Sequence, residues 1–327
     1  MLYRRLESVV EAYMRDEFGR EIYYLRLSVT DLCNLRCVYC MPGQGVEKRC
    51  HCDILSIEEI EEIVRATVDC GIRKVRVTGG EPLVRKGIIE ICQRISAIPE
   101  VQELCITTNG TLLPQYAAQL REAGVSRLNI SLDTLDSEKY NSITRNGSLK
   151  DVLGGIDAAL DAGFDNIKIN TVLMGGVNDP EIPALVELTR KNINVRFIEL
   201  MPIGECADWS MERFISNSKV LEIVPTLQEV GSSGVAKLYR LPGATGTVGL
   251  ISPISSHFCP TCNRIRVTSD GKLKPCLHSS DEVNLRGLHG QALVDTIRSA
   301  VRSKPKRHHL DESARSGSIR NMNEIGG

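Results

Sequence analysis

Three cysteines stand in the run Thr30-Asp-Leu-Cys33-Asn-Leu-Arg-Cys37-Val-Tyr39-Cys40-Met41, spaced C-x3-C-x2-C. A [4Fe–4S] cube has four iron corners and is ordinarily held by four thiolates. This loop offers three, with no fourth cysteine beside them in the chain. A cube bound here keeps one open iron. An open iron can hold a substrate or cofactor, whereas a fully ligated cluster passes electrons. A C-x2-C zinc site, or buried free thiols, would use Cys37 and Cys40 alone, and the full three-cysteine spacing favours the cluster.

A second group lies near the C-terminus, in Phe258-Cys259-Pro-Thr-Cys262-Asn-Arg264-Ile-Arg266 and onward through Asp270-Gly271 to Cys276. It again supplies three thiolates. His257 and His278 are close in sequence, so a structural zinc completed by one histidine fits the spacing as well as a second cluster does. Asp270-Gly271 is a hairpin-turn signal. It predicts strands at Ile265–Thr268 and Lys272–Lys274 and returns Cys276 toward Cys259 and Cys262. Arg264 and Arg266, two apart, share one strand face. Two guanidinium forks beside a metal suit phosphate or carboxylate.

Something must position these groups. Six short β-rich runs alternate with helical segments between residues 22 and 205: Tyr24–Val29, Lys74–Thr78, Leu104–Thr108, Arg127–Leu132, Ile167–Leu173 and Val195–Leu200. The clearest helix starts at Ser56, where Ser56 and Glu59 form a capping-box signature ahead of the stripe Ile57, Ile60, Ile63, Val64 and Val68. Six β/α units in series predict a parallel α/β fold, either a partial barrel or an open doubly wound sheet. The strand faces choose between them. With a period of two, Leu25, Leu27 and Val29 oppose Arg26, Ser28 and Thr30. Val75 and Val77 oppose Lys74, Arg76 and Thr78, and Ile167 and Ile169 oppose Lys168 and Asn170. A closed barrel or doubly wound sheet buries apolar residues on both faces. One polar, cationic face instead predicts an incomplete (β/α)6 barrel whose wide lumen holds an anion, unless Asp133 and Glu199 neutralise the cations internally. Landmarks also follow strand ends, where β/α enzymes place their sites. The cysteine loop follows the first strand, Gly79-Gly80-Glu81-Pro82 the second, Thr107-Thr-Asn109-Gly110 the third and Ser131-Leu-Asp133-Thr134 the fourth. Gly-Gly allows a backbone to approach a ligand closely.

The composition narrows the remaining classes. A net charge of −1 over 327 residues gives no bulk attraction to nucleic acid or to a membrane surface. No apolar run approaches a membrane span and no signal peptide is visible, so a cytoplasmic setting is expected. The 12 cysteines cluster at 33–40 and 259–276, which in a reducing compartment points to metal rather than disulfides. The expected division is an N-terminal extension over 1–21, the partial barrel over 22–205 and a C-terminal second-cluster region over 206–327.

The cysteine loop, with Tyr39 before its last cysteine, resembles that of radical S-adenosylmethionine (SAM) enzymes, and Gly79-Gly80 resembles their glycine-rich SAM-binding segment. The likeness then narrows to one family among them, the GTP 3′,8-cyclases that open molybdenum cofactor biosynthesis. It runs from about Leu25 to the last residue. The motifs that carry it are Leu27-Ser-Val-Thr-Asp31, the first cysteine loop, Arg76-Val-Thr-Gly-Gly-Glu-Pro82, Asn129-Ile-Ser-Leu-Asp133 and Arg196-Phe-Ile-Glu199. Cys-Asn-Arg-Ile-Arg after Cys259 and the ending Asn321-Met-Asn-Glu-Ile-Gly-Gly327 complete the set. The resemblance implies that Cys33, Cys37 and Cys40 hold the cluster that binds SAM, and that Cys259, Cys262 and Cys276 hold a second [4Fe–4S] cluster near the guanine. It implies that Tyr39, Gly80, Thr107, Ser131 and Met201 contact SAM, and that Arg26, Arg76, Lys168, Arg264 and Arg266 surround GTP. The terminal Gly326 and Gly327 are expected to enter the pocket and orient an arginine through backbone carbonyls. The implied partners are an electron donor and, as product acceptor, cyclic pyranopterin monophosphate synthase, with the chain a monomer or homodimer. The chain departs from the family at Cys50-His51-Cys52, read as exposed thiols with an additional metal or redox site as the alternative. His308-His309 is read as a solvated tail. Two other classes compete: a peptide-modifying radical SAM enzyme with an auxiliary cluster, and a zinc or electron-transfer protein. The first leaves Arg264 and Arg266 unexplained, and the second has no use for an open iron.

Overall fold

The computed structural model describes residues 13–47, 49–308, 310 and 315–326. Six parallel strands form its frame: β1 (Tyr24–Ser28), β2 (Lys74–Thr78), β3 (Glu103–Thr108), β4 (Arg127–Ser131), β5 (Lys168–Leu173) and β6 (Asn194–Glu199). They are neighbours in chain order. The helices between them are α1 (Ile57–Asp69), α2 (Ile88–Ser96), α3 (Leu113–Glu122), α4 (Ser137–Thr144), α5 (Leu149–Asp161) and α6 (Ile182–Glu187). In α1 the capping box of Ser56 and Glu59 is complete, and Ile60, Ile63, Val64 and Val68 are buried. The strand alternation holds as well. Leu25, Leu27, Val75 and Val77 are fully enclosed in the main core under the helices.

The chain after residue 205 does not stand apart from this frame. It adds β7 (Gln228–Ser233), β8 (Ala236–Arg240), β9 (Val248–Ile251), β10 (Arg264–Val267), β11 (Lys272–Lys274) and β12 (Val283–Asn284), giving one 12-stranded sheet. β9 extends the frame in parallel beyond β6 and β10 does so beyond β1. β10 and β11 form the Asp270-Gly271 hairpin, with Gly271 at φ 79°. The order is β12-β11-β10-β1-β2-β3-β4-β5-β6-β9-β8-β7, and its two ends do not pair among the described residues, so the barrel is open. Two further helices are α7 (Ser218–Ile223) and α8 (Gly290–Arg302), and α8 packs on α1. A short C-terminal helix, α9 (Met322–Ile325), ends the described chain. No helix among the described residues is long and apolar enough to cross a membrane.

Candidate active site

The first cysteine loop leaves β1 and is tied down along its length. Arg36 N and Val38 N donate to the carbonyls of Thr144 and Ile143 at the end of α4, at 3.0 and 2.9 Å. Below it, Gly80 N donates to Thr30 O at 2.7 Å and Glu81 N to Leu32 O at 2.8 Å. A Cβ on Gly79 would lie 2.5 Å from Thr30 O, and one on Gly80 would lie 2.4 Å from Leu32 O. The close approach that this glycine pair permits is therefore to the backbone of the cysteine loop itself, while Gly80 also faces the cavity described below. Asn109, after β3, brings its Nδ2 to 3.8 Å from Cys33 Sγ. The backbone N–H of Asn323, in α9, hydrogen-bonds Cys40. Burial and the neighbouring thiols push Cys37 and Cys40 up strongly, and burial with Glu81 pushes Cys33 up to about 11. The three therefore stay protonated thiols in the metal-free protein, and a metal that holds all three as thiolates would displace their protons on binding.

The second trio is held by buried cations. Arg20 is 8% exposed. It pairs with Asp16 at 2.5 Å and donates to the carbonyls of Cys259 and Pro305 at 3.0 and 2.7 Å. Lys304 Nζ donates to Arg264 O at 2.9 Å and to Pro275 O. Burial pushes Cys262 up, but Lys304, Arg264 and Arg20 outweigh it, so the thiol is lowered. Cys259, by contrast, is raised, chiefly by burial. His308 is buried, not solvated as expected. Its Nε2 lies 3.1 Å from His257 Nδ1, and its ring centroid lies 4.8 Å from that of His278. His309 lies outside the described residues.

Both trios line one cavity of about 730 Å³. Tyr39, Gly80, Thr107, Ser131 and Met201 line it, and so do Arg26, Arg76, Lys168, Arg264 and Arg266. Strand register explains the cationic wall. Arg266 pairs in register with Arg26, and Arg26 with Arg76, so three arginines stand side by side on β10, β1 and β2. Like charges directly opposite on neighbouring strands repel. Among the described residues, no carboxylate forms an ion pair with Arg76, Arg264, Arg266 or Lys168; Arg76 instead donates to Tyr24 Oη and, at 3.3 Å, to Thr107 Oγ1. Arg264 Nε is buried with no hydrogen-bond partner. Asp133 and Glu199 do not supply the internal neutralisation considered above among the described residues; Glu103 pairs with two outlying cations, Lys74 at 2.5 Å and Arg127 at 2.7 Å. Asp133 accepts from Tyr39 Oη at 2.7 Å and Val172 N at 2.8 Å. Glu199 accepts from Ile254 N and Ser255 N, both at 3.0 Å.

The tail reaches this wall. Gly326 O accepts from Arg266 at 2.5 Å and from Arg26 Nε at 3.2 Å. Gly326 has φ +69°, and a Cβ there would fall 2.2 Å from Thr78 Oγ1, so only glycine fits. Gly327 lies outside the described residues.

The electrostatics agree with an anion-seeking site. Burial lowers Lys168 to about 7, helped by Arg127, Arg196 and Arg76. Burial and Arg264 lower Arg266 to about 10. Burial raises Tyr24, but Arg76, Arg26 and Arg264 outweigh it and bring the phenol down to about 8. Its ring lies 5.1 Å from Lys74 Nζ and 5.7 Å from the Arg264 guanidinium. Burial raises Glu81 to about 7 and Asp133 to about 6. Tyr24 and Arg196 are cavity residues that the sequence reading left out of its site, although both sit on the polar faces it derived. Cys206 is a third omission. It faces the same cavity near Cys40, with Sγ 3.1 Å from Met201 O. It ends a single 3-10 turn, Gly204–Cys206, too short to show a periodic pattern that could have signalled it.

Comparison with known proteins places these features. The Radical SAM superfamily model matches residues 27–189, and the Molybdenum Cofactor Synthesis C model matches residues 193–310. The chain is similar to the GTP 3′,8-cyclase of Alkaliphilus oremlandii, with 51% identity over 96% of this chain and 100% of the relative. It is 50% identical to that of Peptoclostridium acidaminophilum, over 92% of this chain and 95% of the relative. It is 44% identical to that of Clostridium botulinum, over 96% and 100%. Among solved structures, Streptococcus suis SuiB bound to its precursor peptide SuiA superposes with a TM-score of 0.64 at 16% identity, covering 86% of this chain and 67% of SuiB. Methylornithine synthase superposes with a TM-score of 0.51 at 19% identity, covering 63% of each chain. Those two likenesses are of fold.

Proposed function

The chain belongs to the GTP 3′,8-cyclase family, and from that membership we propose that it converts GTP to (8S)-3′,8-cyclo-7,8-dihydroguanosine 5′-triphosphate, the first step of molybdenum cofactor biosynthesis. It is a radical SAM lyase that uses SAM and two [4Fe–4S] clusters. Cys33, Cys37 and Cys40 hold the first cluster and Cys259, Cys262 and Cys276 the second. When bound, the first supplies the electron that cleaves SAM to a carbon radical, and the cofactors carry this hard chemistry. The chain's own residues bind, orient and exclude water. Tyr39, Gly80, Thr107, Ser131 and Met201 contact SAM. Arg26, Arg76, Lys168, Arg264 and Arg266 hold GTP by its triphosphate and fix the ribose between the two trios, so that reacting atoms meet without a search. The Gly326-Gly327 end positions the substrate side, and the Gly326 carbonyl, which holds Arg266 and Arg26, supports that role. The partial barrel takes 22–205 and the second-cluster region 206–327, behind an N-terminal extension over 1–21. A reducing cytoplasm, a separate electron donor and cyclic pyranopterin monophosphate synthase as product acceptor complete the reading.

The observation that carries this reading is the in-register row Arg266, Arg26 and Arg76, facing a cavity that both cysteine trios share. The test is anaerobic reconstitution with SAM, GTP and dithionite, with the products identified by mass. The cyclised nucleotide is expected. Replacing Cys33, Cys37 and Cys40 by Ala should abolish SAM cleavage. Replacing Cys259, Cys262 and Cys276 should leave uncoupled cleavage without cyclised product.

One observation favours a second reading for the C-terminal trio. Ligand atoms of His257, Cys259 and His308 lie within 4.8 Å of one another, close enough to surround a single zinc ion. Metal analysis after anaerobic purification decides between the two. About eight irons per chain support two cubes, and one tightly held zinc with half that iron supports the mixed site.

A further inference from the structure

We infer that Cys50, Cys52 and Asp53 form a surface site for one thiophilic divalent cation, such as zinc, and that the occupied site braces the C-terminal helix. Their ligand atoms lie within 4.8 Å of one another. A single zinc ion, with bonds of roughly 2.0–2.3 Å, draws its donors to within about 4 Å, so only small side-chain rotations separate this trio from coordination. Donors this close fit around one ion and not on three corners of a cube. The donor set is also selective. Two thiolates favour zinc or cadmium over magnesium and calcium, and the carboxylate supplies a third anionic ligand.

The local backbone holds the donors together. His51–Asp53 is a single 3-10 turn, and Cys50 caps it, its Sγ accepting from Cys52 N at 3.4 Å. Arg286 fixes the far side of the turn by donating to Cys52 O at 2.7 Å. Both cysteines are exposed, so water can complete the coordination. Neither lines the cavity, and the proposed reaction gives them no task.

The brace runs through Arg49, which immediately precedes Cys50. Its guanidinium joins three separate parts of the chain: Asp31 at 2.8 Å, Asp270 at 3.1 Å and Glu324 at 3.2 Å. Asp31 opens the first cysteine loop, Asp270 lies in the β10–β11 turn and Glu324 lies in α9, two residues before Gly326. A cation that pins Cys50 pins the backbone from which Arg49 reaches α9. The link from α9 to the arginine row is then the Gly326 carbonyl.

The experiment uses the holoenzyme with both clusters in place, anaerobic and freed of loose metal by a chelator. Zinc is titrated calorimetrically, ¹¹³Cd NMR reports the ligand type, and amide hydrogen exchange is followed over residues 322–326. One tight equivalent is expected, with a cadmium shift in the mixed sulfur–oxygen range. That equivalent should be lost in the Cys50→Ser/Cys52→Ser variant, whose cluster absorbance stays unchanged. Exchange over 322–326 should slow on adding zinc to the wild type but not to the variant. Equal zinc binding by the variant, or an oxygen-only cadmium shift, overturns the site. Tight binding with unchanged exchange over 322–326 overturns the brace.

Discussion

Arg266, Arg26 and Arg76 lie on three adjacent parallel strands in register, so their charges cannot avoid one another by sliding along the sheet. A polyanion resolves that repulsion. Arg264 and Arg266 are expected to read phosphate, not the nucleoside. Arg264→Ala and Arg266→Ala should each weaken GTP binding by about 1.5–3 kcal/mol, the range for a lost charge-assisted hydrogen bond, while guanosine binding changes little. Calorimetry with both ligands checks this, and equal losses for the two would remove the arginines from the triphosphate site. Lys168 adds a pH signature. Its ligand-free value near 7 lies below the ordinary lysine value of 10.5. The unfolded chain therefore binds more protons between those limits. The penalty on the fold is complete below about pH 7 and is relieved as pH rises toward 10.5. A bound triphosphate favours the ammonium and raises the value again, so GTP binding above pH 7 should take up a proton and weaken as pH rises. Titration in two buffers of different ionisation heat should show this uptake, and Lys168→Met should reduce it; unchanged uptake in the variant would exclude Lys168 as the proton acceptor.

At the scale of elements, much was legible because strand faces obey a strict period. Leu25, Leu27, Val75 and Val77 against Arg26 and Arg76 gave the direction of core and lumen, and the capping box at Ser56 gave the start of α1. The missing parts lack such a period. β7, Gln-Glu-Val-Gly-Ser-Ser, is exposed at every position, so it has no apolar face to reveal it. His308 follows Pro305 and Lys306 and reads as a polar tail. It is buried where His257 and His278 meet it from other parts of the chain and Arg20 holds the carbonyls of Pro305 and Lys306. The tail element α9 was legible as a motif, but its contacts were not. Asn323 reaches Cys40 and the carbonyl of Asp31, so the helix touches the first cysteine loop while Gly326 touches the arginine row. Gly326→Ala introduces a strained positive φ, costing roughly 1–2 kcal/mol, and a collision with Thr78. SAM cleavage should persist while cyclisation falls, because the clusters are untouched and the Arg266 carbonyl partner moves. Coupled assays of 5′-deoxyadenosine and cyclised nucleotide separate the two. A proportional fall in both would show that the tail supports the whole site and not the substrate side alone.

At the scale of the molecule, the sheet joins what the sequence divides. The six-unit frame reads as a self-contained barrel, yet its two outer strands, β1 and β6, take parallel partners from beyond residue 205. Those partners bring core side chains with them. Ile265, Val267 and Val248 are fully buried, and so are Leu293, Ile297 and Val301 of α8, the helix that packs on α1. Each such side chain is worth about 1.5–3 kcal/mol when buried. Six of them together reach the order of 10 kcal/mol, comparable with the whole net stability of a typical domain at about 5–15 kcal/mol. Two exposed strand edges would add an aggregation hazard. A fragment spanning 22–205 is therefore expected to lack a cooperative urea transition and to associate, whereas the full cluster-free chain should unfold in one transition seen alike by circular dichroism and by fluorescence of Trp209, which lies beyond the fragment. A sharp, reversible transition in the isolated fragment would show that the barrel folds alone. The C-terminal strands would then be an added layer, and the second trio could be assembled on a barrel already complete.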